Sequence, residues 1–164
     1  MKKNKIEERL QIAVCTYIDF QYPDVIYTSD SSGINLTMGQ AIVLKKQRSK
    51  RFKIPDLLIF HPNNKYKGLF IELKKSRSEI FLKNGDLSNK THIQEQNKTL
   101  IKLEELGYKA CFSCGFDETK IIIDNYFSDY DRWFYEELKI SSDSVVKFKT
   151  LNYIWIMKLE LDKY

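Results

Sequence analysis

Residues 55–76 read PDLLIFHPNNKYKGLFIELKKS. Two apolar runs, Leu57–Phe60 and Leu69–Ile71, flank a polar segment that carries Pro62, Asn63, Asn64 and Gly68. Apolar runs of strand length around turn-forming residues spell a β-hairpin. Three residues do not belong to a plain hairpin. Asp56 stands at the open end of the first run, and Glu72 and Lys74 interrupt the second. With the hairpin centred on Asn64, Asp56 and Glu72 lie equally far from the turn and face each other. Such cross-strand partners share one face of a sheet, with Cβ atoms ~5 Å apart. Alternation along the strand adds Lys74 to that face. A slip of one residue in the long turn would undo the arrangement.

Two carboxylates that close repel, and one takes up a proton unless a cation lies between them. Mg²⁺ accepts carboxylate oxygens at ~2.1 Å and keeps several waters. Water on such an ion is acidified, and a lysine can hold or deprotonate it and stabilise developing negative charge. That chemistry suits attack on a phosphodiester. The same three residues also suit an ion-pair cluster on an edge strand, and their spacing alone does not separate the two readings.

The chain has 164 residues, of which 43% are hydrophobic. This length predicts one domain with a core that needs no disulfide or structural metal. The formal charge is +5. A mild positive balance permits a nucleic-acid partner without demanding one. The charge is uneven: Lys45, Lys46, Arg48, Lys50, Arg51 and Lys53 precede Asp56, and Lys75 and Arg77 follow Lys74. A solvated surface face would also carry such clusters. Three cysteines and no apolar stretch behind Met1-Lys2-Lys3 predict a reducing, cytoplasmic setting. No stretch approaches the ~20 apolar residues of a membrane span.

Around the hairpin the periodicities alternate. Ile6, Leu10, Ala13, Val14 and Tyr17 predict an amphipathic helix over 5–20. Val25–Thr28 reads as a strand, and 29–35 as turn chemistry. Thr37 is placed to cap a helix from Met38 to about Gln47. Residues 76–90 read as a loop with Asn84-Gly85-Asp86 at its tip. Thr91 and Gln94 have the spacing of a capping box, Leu100, Leu103 and Leu106 form an apolar stripe, and Gly107 suits a C-cap. Tyr108–Cys114 alternates as a strand, and Asp117 is placed to cap a helix over 118–127. The order predicts a mixed α/β fold, a central sheet flanked by helices. Beyond it, Tyr130, Trp133, Phe134 and Tyr135 suggest a packed helix, and Val145–Leu161 one or two strands. Gln96 shares a helical face with Leu100 and Leu103, so its amide needs a hydrogen-bonding reason.

Pro55-Asp56 followed by Glu72-Leu73-Lys74 resembles the signature of the PD-(D/E)xK nucleases. Further stretches resemble the VRR-NUC branch, the virus-type replication-repair nucleases. They are the first helix with Glu7, Glu8 and Gln11 ahead of Val14 and Tyr17; Ser32-Gly33 and the basic helix before Pro55; and Gln96 eleven residues before Gly107-Tyr108. The similarity spans about 6–127, a nuclease core with restriction-endonuclease-like architecture, and leaves 128–164 as an extension.

The resemblance implies a Mg²⁺- or Mn²⁺-dependent DNA endonuclease. It implies that Asp56, Glu72 and the backbone carbonyl of Leu73 bind the metal, that Lys74 orients the attacking water, and that Gln96 supports the site. A glutamate of the first helix, Glu7 or Glu8, completes the metal shell; Glu7 falls in line with Leu10 and Val14. The basic residues at 45–53, with Lys75 and Arg77, would grip DNA phosphates, which positions DNA without reading its sequence. Similarity to stand-alone, virus-encoded members implies a homodimer on Holliday-junction or flap DNA, with the aromatic extension as an interface. Two rival readings are an inactive DNA-binding module on the same fold and a small restriction-type endonuclease.

Other motifs carry less. Cys111 and Cys114 have CxxC spacing, but a strand would turn them to opposite faces, which argues against zinc and against a thioredoxin-like site. His61 reads as an exposed turn residue and His92 as a surface residue at a helix start. The six glycines form no phosphate loop.

Overall fold

The computed structural model describes residues 3–30 and 37–137, with side chains over 6–30 and 37–128. Ser32-Gly33, the segment 138–164 and the side chains of the aromatic extension lie outside the described residues.

The chain begins with α1 (Lys3–Gln21), then β1 (Tyr27–Ser29), α2 (Met38–Gln47), β2 (Leu57–Ile59) and β3 (Leu69–Lys74). A one-turn α3 (Arg77–Ile80), α4 (Thr91–Glu105), β4 (Lys109–Cys114) and α5 (Gly115–Glu137) follow. The four strands form one mixed sheet in the order β1-β2-β3-β4. β2 runs antiparallel to both β1 and β3, and β4 joins β3 in parallel through the α4 crossover. In the hairpin Leu57 pairs with Ile71, Leu58 with Phe70 and Ile59 with Leu69. Continuing this register by one step sets Asp56 opposite Glu72, as the spacing about Asn64 predicts, with no one-residue slip.

The strict side-chain period of two sorts the sheet into two faces. Leu57, Ile59, Leu69, Ile71 and Leu73 pack with Val14 and Ile18 of α1 and with Ile123, Tyr126 and Phe127 of α5. The opposite face places Phe70 and Ala110 against Leu100 of α4, with Leu58, Leu103, Tyr108 and Phe112 around them. Glu72 and Lys74 fall on this α4 side because they keep step with Phe70. Burying residues of this size contributes about 1.5–3 kcal/mol each, so the register holds the acidic pair in place. Gly68 enters β3 where a Cβ would lie 2.6 Å from the Ile59 carbonyl oxygen. Only glycine permits that backbone approach.

Local capping follows the sequence in part. Thr37 accepts from the Gln40 N–H, and Gln40 Oε1 accepts from the Thr37 N–H, a full capping box. Gly107 ends α4 at φ +89. Its N–H donates to Glu104, and the Tyr108 N–H donates to Leu103, the paired bonds of a Schellman motif.

Several expectations are corrected. The α4 N-cap is Lys90 with no side-chain cap, and the Gln94 amide donates to the Ser88 carbonyl instead. Residues 76–90 contain α3 and a Phe81–Leu87 bridge, so they are not plain loop. The first strand starts two residues later than Val25, and α5 starts at Gly115, ahead of Asp117, and runs past 127. Ile6, Ala13 and Leu106 face solvent, while Ile18 and Ile93 are buried. Helical stripes mark an apolar side, and only packed neighbours decide how far along the helix it is covered.

Candidate active site

The sheet's α4 face ends in polar side chains at the hairpin's open end. Glu72 and Lys74 are buried, 3% and 9% exposed. The Lys74 ammonium donates to Glu72 Oε1 at 2.5 Å and to the Leu73 carbonyl at 3.2 Å. Asp56 is half-buried, and its Oδ2 accepts from the Leu73 N–H at 2.9 Å. Gln96 of α4 donates from Nε2 to the same Glu72 Oε1. Asp56, Glu72, Leu73, Lys74 and Gln96 thus form one connected group. The polar residue on the apolar stripe of α4 has its hydrogen-bonding reason.

Burial and the neighbouring Asp56 carboxylate push the Glu72 carboxyl up to about 8, against the opposing pull of Lys74. Burial also raises Asp56, offset in part by Lys74 and by the Leu73 N–H. Two acids in one low-dielectric pocket favour holding a proton between them. One lysine therefore does not keep both carboxylates ionised at neutral pH.

Behind this group, the Gln11 amide of α1 donates to the carbonyls of Asp30 at 2.8 Å and Asp56 at 3.2 Å. The Asp30 N–H donates to the Asp56 carbonyl at 2.8 Å. Asp56 is therefore fixed through both its backbone and its side chain. The Asp30 carboxylate pairs with Arg48. Sequence reading missed Asp30, an acid in a turn with no pattern around it. It noted Gln11 without a task.

A cleft of about 770 Å³ opens over the acids. Asp30, Asp56, Glu72 and Gln96 line it together with Lys45, Arg48, Lys50 and Lys53. Lys46 and Arg51 are exposed nearby. Lys75 and Arg77 are engaged elsewhere, with Glu7 and Glu118, each at 3.2 Å. Glu7 is thus turned toward Lys75, and Glu8 is exposed. Among the described residues no three His, Cys, Asp or Glu side chains gather as a metal cluster.

The donor set nevertheless fits a hard cation with a partly aqueous shell. It offers two carboxylates and the Leu73 carbonyl, and the buried Gln96 Oε1 has no hydrogen-bond partner. Divalent Mg²⁺ is commonly held by one or two carboxylates with water filling its shell. The cysteines fit no such role. Cys111 and Cys114 are unpaired by disulfides and lie on opposite faces of β4. Burial pushes the Cys111 thiol up to about 11 and raises Cys114, which makes both poor nucleophiles at neutral pH. His61 is half-buried, with its ring edge-on to Phe127 at 5.5 Å, so it is not the exposed turn residue expected. His92 is exposed.

Among the described residues the chain is thus a mixed α/β fold, a four-stranded sheet between helices with two acids and a lysine at the hairpin's open end. A solved structure described as a VRR_NUC domain protein shares it, with a TM-score of 0.51 and 21% identity over 75% of this chain and 88% of that one. At that identity the likeness establishes the fold. No protein-family model matches the chain, and no curated protein does. No helix among the described residues is long and apolar enough to cross a membrane.

Proposed function

We propose that this chain is a divalent-cation-dependent DNA endonuclease of the VRR-NUC kind. The observation that carries the reading is the convergence of Asp56, Glu72 and Gln96 on the lining of a basic cleft, with Lys74 bonded to Glu72 behind them. Likeness of fold to a VRR_NUC domain protein supports it independently.

In this reading Asp56, Glu72 and the Leu73 carbonyl hold Mg²⁺ or Mn²⁺. The ion supplies charge neutralisation and a water of lowered pKa. The Leu73 N–H aims Asp56, and the Gln96 amide fixes the Glu72 carboxylate. Lys74 exchanges its bond to Glu72 for one to the attacking water, and its ammonium then faces the negative charge that develops on the phosphoryl oxygens as the bond to the leaving sugar oxygen breaks. Lys45, Lys50 and Lys53, with Arg48, draw the DNA backbone into the cleft, where phosphate contacts fix position without reading sequence. Lys46 and Arg51 extend that basic surface. The finer part of the proposal is a homodimer acting on branched DNA, in which a two-fold axis matches a symmetric junction.

The test is cleavage of plasmid, linear duplex, flap and four-way-junction DNA with Mg²⁺, with Mn²⁺ and with EDTA. Cleavage that needs the cation and disappears in Lys74→Ala supports the reading. DNA binding without cleavage under any of these conditions would overturn it in favour of an inactive binding module. Light scattering reads the dimer as twice the 19.5 kDa chain mass.

A further inference from the structure

We propose that a second pocket, next to the cleft, takes the base of an unpaired nucleotide, with Phe52 as its stacking platform. The inference rests on the nuclease reading and gives that site a substrate preference. Phe52 lines both the cleft that holds Asp56 and Glu72 and a separate pocket of about 490 Å³ along α4. A nucleotide chain lying in the cleft therefore reaches this pocket by passing one side chain.

The pocket's lining suits a base better than a peptide or a lipid. Phe52 gives an aromatic wall, Ile101 an exposed apolar one, and Gln94 and Asn97 bring amides that can meet base edges. Stacking on an aromatic ring accepts any base, because every base has a π-face. The Lys98 ammonium lies over the Phe52 ring, 6.0 Å from its centre, a cation–π contact that a base stacking on that face displaces, which frees the ammonium for the nucleotide's phosphate. The acid in the pocket, Glu105, is paired with Lys102 at 2.8 Å.

The platform is held before any ligand arrives. Ser49 Oγ accepts from the N–H groups of Arg51 and Phe52, at 3.3 and 3.2 Å, and turns the chain just ahead of the ring. One residue later the Lys53 N–H donates to Thr99 Oγ1 of α4 at 3.0 Å. The backbone at Phe52 is thus held on both sides, by Ser49 and by the helix that also supplies Gln96. A paired base cannot leave its stack without an unpairing cost, whereas a base in a flap or a junction strand can. The pocket therefore favours DNA with unpaired nucleotides beside the cleaved phosphate.

The experiment uses the full chain in EDTA, so no cleavage intervenes. Its probes are a duplex with a short single-stranded arm, carrying 2-aminopurine at each arm position in turn, and the fully paired duplex of the same sequence. Wild type is expected to raise fluorescence at one arm position as that base leaves its neighbours. Phe52→Trp is expected to retain affinity and turn that rise into quenching by the indole. Phe52→Ala is expected to weaken binding of the armed duplex about tenfold and of the paired duplex less than twofold. Ile101→Glu, at an exposed position that does not threaten folding, is expected to give the same selective loss. Equal losses on both DNAs, no loss on either, or no position-specific fluorescence change would overturn the proposal. The nuclease reading stands or falls separately, on cation-dependent cleavage by wild type of any DNA in the plasmid, duplex, flap and junction panel.

Discussion

The backbone N–H of Leu73 donates to Asp56 Oδ2 at 2.9 Å, across the open end of the hairpin. This bond links two strands through one carboxylate and aims that carboxylate at the neighbouring Glu72. It also separates two tasks at position 56. An amide there would still accept from Leu73 but would carry no charge. Asp56→Asn is therefore expected to fold like wild type, by circular dichroism and urea denaturation, and to lose DNA cleavage by a factor of about 100 or more. Unchanged cleavage would remove Asp56 from the site.

Glu72 makes a pH prediction with a definite sign. Its carboxyl has an ordinary value of 4.5 and is pushed up to about 8 in the folded chain. The folded state holds that proton more tightly than the unfolded one. The stability contributed is complete below the ordinary value and is lost as pH rises through the folded value. The cation-free protein should therefore lose stability from about pH 5 to pH 8, by at most about 1.4 kcal/mol per pH unit. Glu72→Gln should show a flatter profile in the same thermal melts, and parallel profiles would contradict the shift.

Binding of a divalent ion should reverse that protonation. A ligating carboxylate must give up its proton, so ion binding at pH 7 should release one. Calorimetric titration with Mg²⁺ in two buffers of different ionisation enthalpy measures the release directly. Heats that do not depend on buffer would mean that the Glu72 proton is not displaced.

Gln96 touches Glu72 through one amide hydrogen bond and leaves its own Oε1 without a partner. Gln96→Leu keeps the bulk and removes the donor. Loss of a partner that orients a ligating group commonly costs 10–100-fold in metal affinity or activity. The variant is expected to fall in that range for cleavage, with a stability change of about 1 kcal/mol. A larger stability loss with normal cleavage would make Gln96 a packing residue.

Gly68 tests the fold independently of chemistry. A Cβ there would press on the Ile59 carbonyl oxygen at 2.6 Å. Gly68→Ala should cost about 1–3 kcal/mol, as overpacking does, while Gly39→Ala, with nothing within 4 Å, should cost nothing comparable. Chemical denaturation of the two variants reads the difference.

The hairpin was legible because its rules are local. Apolar runs fix the strands, the period of two fixes the faces, and equal spacing about Asn64 set Asp56 opposite Glu72 before any contact was known. The Thr37 cap and the Gly107 terminus were legible for the same reason, since a helix end recruits groups within a few residues. The capping box at Thr91 failed because Gln94 found the Ser88 carbonyl instead. Tertiary structure alone decided which side chains from distant elements reach the rim. It brought Gln96 to Glu72 and Gln11 to the backbone of Asp56, and it paired Asp30 with Arg48 and Glu7 with Lys75. Periodicity determines which side of a helix or strand is apolar. The polar neighbour it meets depends on how helices cross the sheet, and that is settled by packing over the whole core.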